Sequence, residues 1–138
     1  VMVSLVKTHY TNKGIKETKT LSINIVSEEM LKKADYVGSV SGSKQDKSEV
    51  FEYHIGEAGA PIINNAPVVM ECKVEDNYET NNFDNFIMSI ANTYIQEENL
   101  DEKGKIDYTK FSPVLFEFPK YTYLKTGETI GNCLRLDK

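Results

Sequence analysis

Val1, Val3 and Leu5 alternate with Met2, Ser4 and Val6, and both rows are mostly apolar. That pattern predicts a well-buried strand rather than one with a wet face. A second run, "KTLSINIV", sets Leu21, Ile23 and Ile25 on one side and Thr20, Ser22 and Asn24 on the other. Between the two, "YTNKGIKE" is short and interrupted by glycine, which fits one or two helical turns capped by Thr11. "SEEMLKKADYVG" reads as a short helix with Ser27 as its cap, Glu28 and Glu29 in the first turn, and Gly38 as its stop.

The clearest strand is "VVMECKVE", where Val68, Met70, Cys72 and Val74 face in while Glu71, Lys73 and Glu75 face out. "EAGAPIINNAP" before it is rich in turn residues, and "DNYETNNFDN" after it reads as a polar connection. "FIMSIANTYI" follows as a long strand buried on both sides. "QEENLDEKGKID" is a charged turn-forming loop, "FSPVLFEFPKYTYL" an aromatic extended segment, and "TGETIGNCLRL" a tail turn or helix. Several strands with short helices between them predict a mainly β fold, an antiparallel barrel or sandwich with helical decorations. No repeat or composition shift divides residues 1–138, so one domain is expected. The chain opens at Val1 inside a strand pattern, which points to residues upstream of it.

Composition narrows the function classes. With 138 residues, 40% hydrophobic and 27% charged, the chain is long enough for a real core. Its formal charge of −5 argues against a broad nucleic-acid or anionic-membrane surface. The first twenty residues are a local exception, with Lys7, Lys13, Lys16 and Lys19 set against Glu17 alone. No apolar run reaches the length of a membrane span, and no signal peptide is visible. Two cysteines and two histidines, widely spaced, are too few for a Cys/His metal site. Cys72 in an apolar row reads as a reduced core thiol, and the expected compartment is the cytoplasm.

Two polar segments could carry chemistry. "GSVSGSK" (Gly38 to Lys44) resembles a phosphate loop but is one residue short, lacks Ser or Thr after Lys44, and follows a helix instead of a strand. Nucleotide hydrolysis is therefore not expected. An anion-binding concavity of Gly and Ser N–H groups near Lys44 and Lys47 fits the segment, and so does a solvated loop. In "VKTHYTNK", His9 has no carboxylate or cysteine beside it to complete a relay. The start of a short helix there would aim free N–H groups outward beside Lys7, His9 and Thr11, a setting that favours a phosphate. Phe111, Phe116, Phe118, Tyr121 and Tyr123 read as core or interface, with cover for a flat ring as the other reading.

In order and spacing, "VSLVKTHYTNKGIKETKTLSINIVSEEM", "DYVGSVSGSKQDK" and "APVVMECKV" resemble the flavin reductase-like, flavoredoxin-type proteins from Val1 to about Gly131. The resemblance implies an FMN-binding split β-barrel of antiparallel Greek-key type, usually a homodimer with flavin at the subunit interface. It implies that Lys7, Thr8, His9 and Thr11 hold the FMN phosphate. Ser41 and Gly42 would shape a second loop, Lys47 would approach the flavin, and Tyr121 would lie near the ring. A lysine at that edge would stabilise reduced flavin.

The implied activity is an NAD(P)H-dependent flavin reductase or a flavoredoxin-type electron carrier. The alternative is a non-catalytic split-barrel dimer without tight flavin binding. The pattern departs from the family in three places. A first hairpin with its Trp-containing segment is not present before Val1. In the strand, Met88 and Ser89 stand where Gly and Glu are usual, and Phe83 and Asp84 occupy the neighbourhood of a histidine close to the flavin; the tail has Asn132 and Cys133 in unexpected places.

Overall fold

The computed structural model describes residues 1–136. In chain order it forms β1 (Met2–Val6), α1 (Tyr10–Thr18), β2 (Thr20–Asn24), α2 (Leu31–Ser39), β3 (Tyr53–Ile55) and β4 (Pro61–Ile63). Then come β5 (Val68–Glu79), β6 (Phe83–Ile95), a 3₁₀ turn at Glu97–Asn99, β7 (Val114–Glu117) and β8 (Thr122–Lys125). An antiparallel four-stranded sheet in the order β1-β6-β5-β2 carries the fold, with β3–β4 and β7–β8 as separate two-stranded ribbons. This curled, mainly β half-barrel with two short helices is the architecture expected from the strand pattern.

β5 and β6 form one long hairpin, because alternation continues through "DNYE" and the turn needs only Thr80, Asn81 and Asn82. The polar connection expected there is thus mostly strand. Two register shifts, at Glu71/Cys72 and Val74/Asp76, bend the hairpin.

The core lies on both faces of this sheet. On one, Ile15 of α1 packs with Cys72, Phe86 and Met88, flanked by Met70 and Val74. On the other, Met30, Ile62, Ala66 and Val69 form a second cluster under β4. Each fully buried aliphatic or aromatic side chain contributes about 1.5–3 kcal/mol.

Several expectations change. β1 is an edge strand with Val3 and Leu5 half-buried and Met2 62% exposed, so it has a wet face. β6 is buried on one face only, at Asp84, Phe86 and Met88, while Ile87 and Ile90 are exposed. Glu71 points away from the α1 core as expected but is fully buried, because the β3–β4 ribbon covers that face. Thr11 lies inside α1, whose cap is His9 with no side-chain bond. α2 begins after Met30, three residues beyond Ser27, and runs through Gly38. The tail at Thr126–Leu136 contains turns and no helix. Among the described residues, no helix is long and apolar enough to cross a membrane, and no group of His, Cys, Asp or Glu could hold a metal ion.

Candidate functional site

β1 delivers the chain into α1 through a tight turn. The His9 N–H donates to the Val6 carbonyl at 3.0 Å, and the Asn12 N–H to the His9 carbonyl at 3.1 Å. The first N–H groups of a helix have no intrahelical acceptor, and here no side chain caps them and no acid occupies the first turn. That end of α1 therefore offers donors and positive potential.

It opens on a cavity of about 450 Å³ lined by Thr8, His9, Tyr10 and Thr11 on one side, and by Val37 to Gly42 with Lys47 on the other. The two polar segments of the sequence, some thirty residues apart, thus share one site. Gly42 packs against Tyr10 so closely that a Cβ there would lie 3.0 Å from Tyr10 Cδ1. Ser41 and Ser43 hydroxyls pair at 2.9 Å, and the Lys44 N–H donates to the Ser41 carbonyl at 3.0 Å, so the loop turns tightly. Among the described residues, neither the Thr8 nor the Thr11 hydroxyl has a protein partner.

Lys47 reaches into this wall in a specific way. Its ammonium donates to the carbonyls of Val37 and Val40 at 2.5 and 2.8 Å, covering the C-terminal end of α2. It sets the position of the loop while lining the cavity.

Two of the candidate residues lie elsewhere. Lys7 pairs with Glu79 at 3.0 Å and faces an adjoining cavity of about 440 Å³, which it shares with His9, Asn12, Lys13, Lys16, Glu17 and Asp84. Tyr121 sits in the β7–β8 turn with a positive φ of 54°, exposed and tilted 5.3 Å from the Phe118 ring. Of the positions where the family pattern is broken, Phe83 is exposed on the sheet's outer face and Met88 is buried in the core. The Ser89 hydroxyl donates to Glu75 at 2.6 Å.

The turn into α1 rests on Asn12 and on Asp84, one of the positions where the family pattern is broken. Asp84 and Asn12 are 1% and 3% exposed, and the Asn12 amide donates to Asp84 Oδ2 at 2.6 Å. Lys16 approaches Asp84 Oδ1 at 2.9 Å and Glu79 at 3.3 Å. The Lys16 ammonium holds the Asp84 carboxyl below the usual aspartate range, against the opposing effect of burial. The available signal was an acid, Asp84, in the row that continues with Phe86 and Met88.

Comparison with known proteins gives the family of this fold. The flavin reductase like domain matches residues 1–125. Flavoredoxin from Methanosarcina acetivorans is similar at 37% identity and a TM-score of 0.94, with 99% of this chain and 74% of that one covered. Flavoredoxin of Desulfovibrio vulgaris (Miyazaki F) is similar at 28% identity and 0.87, covering 99% and 75%. An FMN-binding protein from Thermus thermophilus shares the fold at 22% identity and 0.81, covering 95% and 72%. No curated protein sequence matches. Given a family match over most of its length and a relative this similar, the chain belongs to the flavin reductase-like, flavoredoxin family.

Proposed function

We propose that this chain binds FMN, with the phosphate at the start of α1, and acts as an NAD(P)H-linked flavin reductase or a flavoredoxin-type electron carrier. Family membership already makes its function flavin-related. The observation that carries the finer reading is the single cavity joining Thr8, His9 and Thr11 to Ser41, Gly42 and Lys47. A phosphate carries about two negative charges near neutrality and suits charge-assisted donors. Uncapped helix N–H groups and the hydroxyls of Thr8 and Thr11, which have no partner among the described residues, are such a set, with Lys47 holding the facing loop, so the residues present fit the group.

In this reading Thr8 and Thr11 hold the phosphate with the first N–H groups of α1. Ser41, Gly42 and Lys47 shape the opposite wall. Bound flavin supplies the redox chemistry, taking a hydride from a nicotinamide and passing electrons to an acceptor. Lys7 contributes through its charge at the neighbouring opening, and Tyr121 meets the ring only through a second subunit or a movement of its hairpin. A homodimer suits the apolar side chains left exposed on the sheet, among them Met2, Phe83 and Ile87, and the cytoplasm is the compartment this reading assigns to it.

Titrating the purified protein with FMN, followed by anaerobic addition of NADH or NADPH, tests the reading. Quenching of flavin fluorescence and bleaching of the bound flavin by a nicotinamide are the expected results. A colourless protein that takes up no added FMN overturns it and favours the non-catalytic dimer.

A further inference from the structure

The start of α1 is built from outside the cavity. Its third residue, Asn12, turns away from the phosphate pocket and into the sheet, where it is almost fully buried. One amide nitrogen, Asn12 Nδ2, donates both to Asp84 Oδ2 at 2.6 Å and to the Val6 carbonyl at 3.3 Å. The same Val6 carbonyl receives the His9 N–H. The Asn12 side chain thus joins the last residue of β1, the first turn of α1 and the start of β6, and the cap of α1 meets it at the Val6 carbonyl.

Asn12 uses only its donor, since its own Oδ1 is buried without a partner. An unpaired buried amide oxygen is costly, so the arrangement is organised around the carboxylate. Asp84 in turn could not stay ionised in the sheet alone. Lys16, one turn further along α1, offsets its charge, and Glu79 draws Lys16 and Lys7 to the same side. These contacts fix where α1 begins and where its free N–H groups point, and that direction decides whether a phosphate oxygen meets them at bonding distance.

We propose that Asp84, acting through Asn12, is a positioning residue that aims the first turn of α1 at the flavin phosphate and sets the preference for FMN over riboflavin. The inference rests on the phosphate reading above. Riboflavin has the same ring and no phosphate, so it separates aiming of the helix from general loss of the fold.

Affinities for FMN and for riboflavin are to be measured by fluorescence quenching in the unaltered chain, in Asp84→Asn and in Asn12→Ala. In both variants we expect FMN affinity to fall about tenfold, the scale of one charge-assisted hydrogen bond, with riboflavin affinity unchanged. Should Asp84→Asn not fold, Asn12→Ala carries the comparison, because it keeps the Asp84–Lys16 pair. An FMN preference that survives in the folded variants overturns this inference alone, as does an equal loss for both flavins. An unaltered chain that binds FMN no better than riboflavin overturns the phosphate reading first, and this inference with it.

Discussion

The Lys47 ammonium lies 2.8 Å from the carbonyl oxygen of Val40, and the same nitrogen reaches the Val37 carbonyl. One side chain therefore closes the end of α2 and holds the loop that forms one wall of the cavity at the start of α1. Hydrogen bonds to a charged donor contribute about 1.5–3 kcal/mol. Lys47→Ala should lose stability on that order and weaken FMN binding about tenfold or more. Thermal melts and a flavin titration check both, and unchanged affinity would remove Lys47 from the pocket's construction.

Gly42 packs directly against the Tyr10 ring at the edge of the pocket. An alanine Cβ at 3.0 Å from Tyr10 Cδ1 forces the ring or the loop to move by a few tenths of an ångström. Tyr10 is half exposed and can yield, so Gly42→Ala should cost less than ~1 kcal/mol of stability. FMN affinity should fall several-fold all the same, since the cavity changes shape. Gly42→Leu should abolish binding in a folded protein.

Glu71 is a fully buried carboxylate with four donors. The Ala58 and Ala60 N–H groups reach Oε1 at 2.9 and 3.1 Å, and the Tyr94 hydroxyl and Asn92 amide reach Oε2 at 2.9 and 3.0 Å. Burial opposes ionisation here, yet the bonds from Asn92, Ala60, Tyr94 and Ala58 outweigh it and keep the carboxyl below its usual 4.5. A lowered folded value means that stability is complete above pH 4.5 and is lost as the pH falls through the folded value. Melting temperature should be flat from neutrality to about pH 5 and then drop. Glu71→Gln should be less stable at neutral pH, with a shallower acid limb. An acid limb as steep as that of the unaltered chain would show that Glu71 does not control it.

Gly56 lies directly against the Glu71 carboxylate, where any Cβ would collide with Oε1. Gly56→Ala should displace the carboxylate from the β3–β4 ribbon and destabilise the fold by about 1–3 kcal/mol. A melting temperature unchanged in that variant would contradict the packing described.

The Tyr123 hydroxyl donates to Asp35 Oδ1 at 2.6 Å, and the Val114 N–H to the Val26 carbonyl at 2.9 Å. These bonds tie the aromatic hairpin to α2 and to the segment that follows β2. Tyr123→Phe should cost about 0.5–1.5 kcal/mol locally and speed proteolysis between β7 and β8, with little change in the global melt. Equal cleavage rates would sink the proposed tether.

The strands and the two polar segments were legible because each depends on neighbours close in sequence. Alternation placed Met70, Cys72 and Val74 on one face, and β5 places them there against α1. The same alternation put Glu71 on the opposite face and read that face as solvent. Nothing near Glu71 in sequence announces that Ala58 and Ala60 will fold over it. Residue type alone makes Thr11 a cap, but the turn from β1 puts the cap at His9.

By itself the sequence determined a mainly β chain, a helix start rich in donors, a serine-glycine loop and the family pattern that links them. The tertiary structure decided that the two segments share a cavity, that Lys47 is spent on the carbonyls of α2, and that Asp84 holds α1 through Asn12. The division has a physical cause. Periodicity and turn chemistry act over a few residues, whereas burial of Glu71 or Asp84 depends on which distant segment covers the face, and only closure of the sheet and its hairpins settles that.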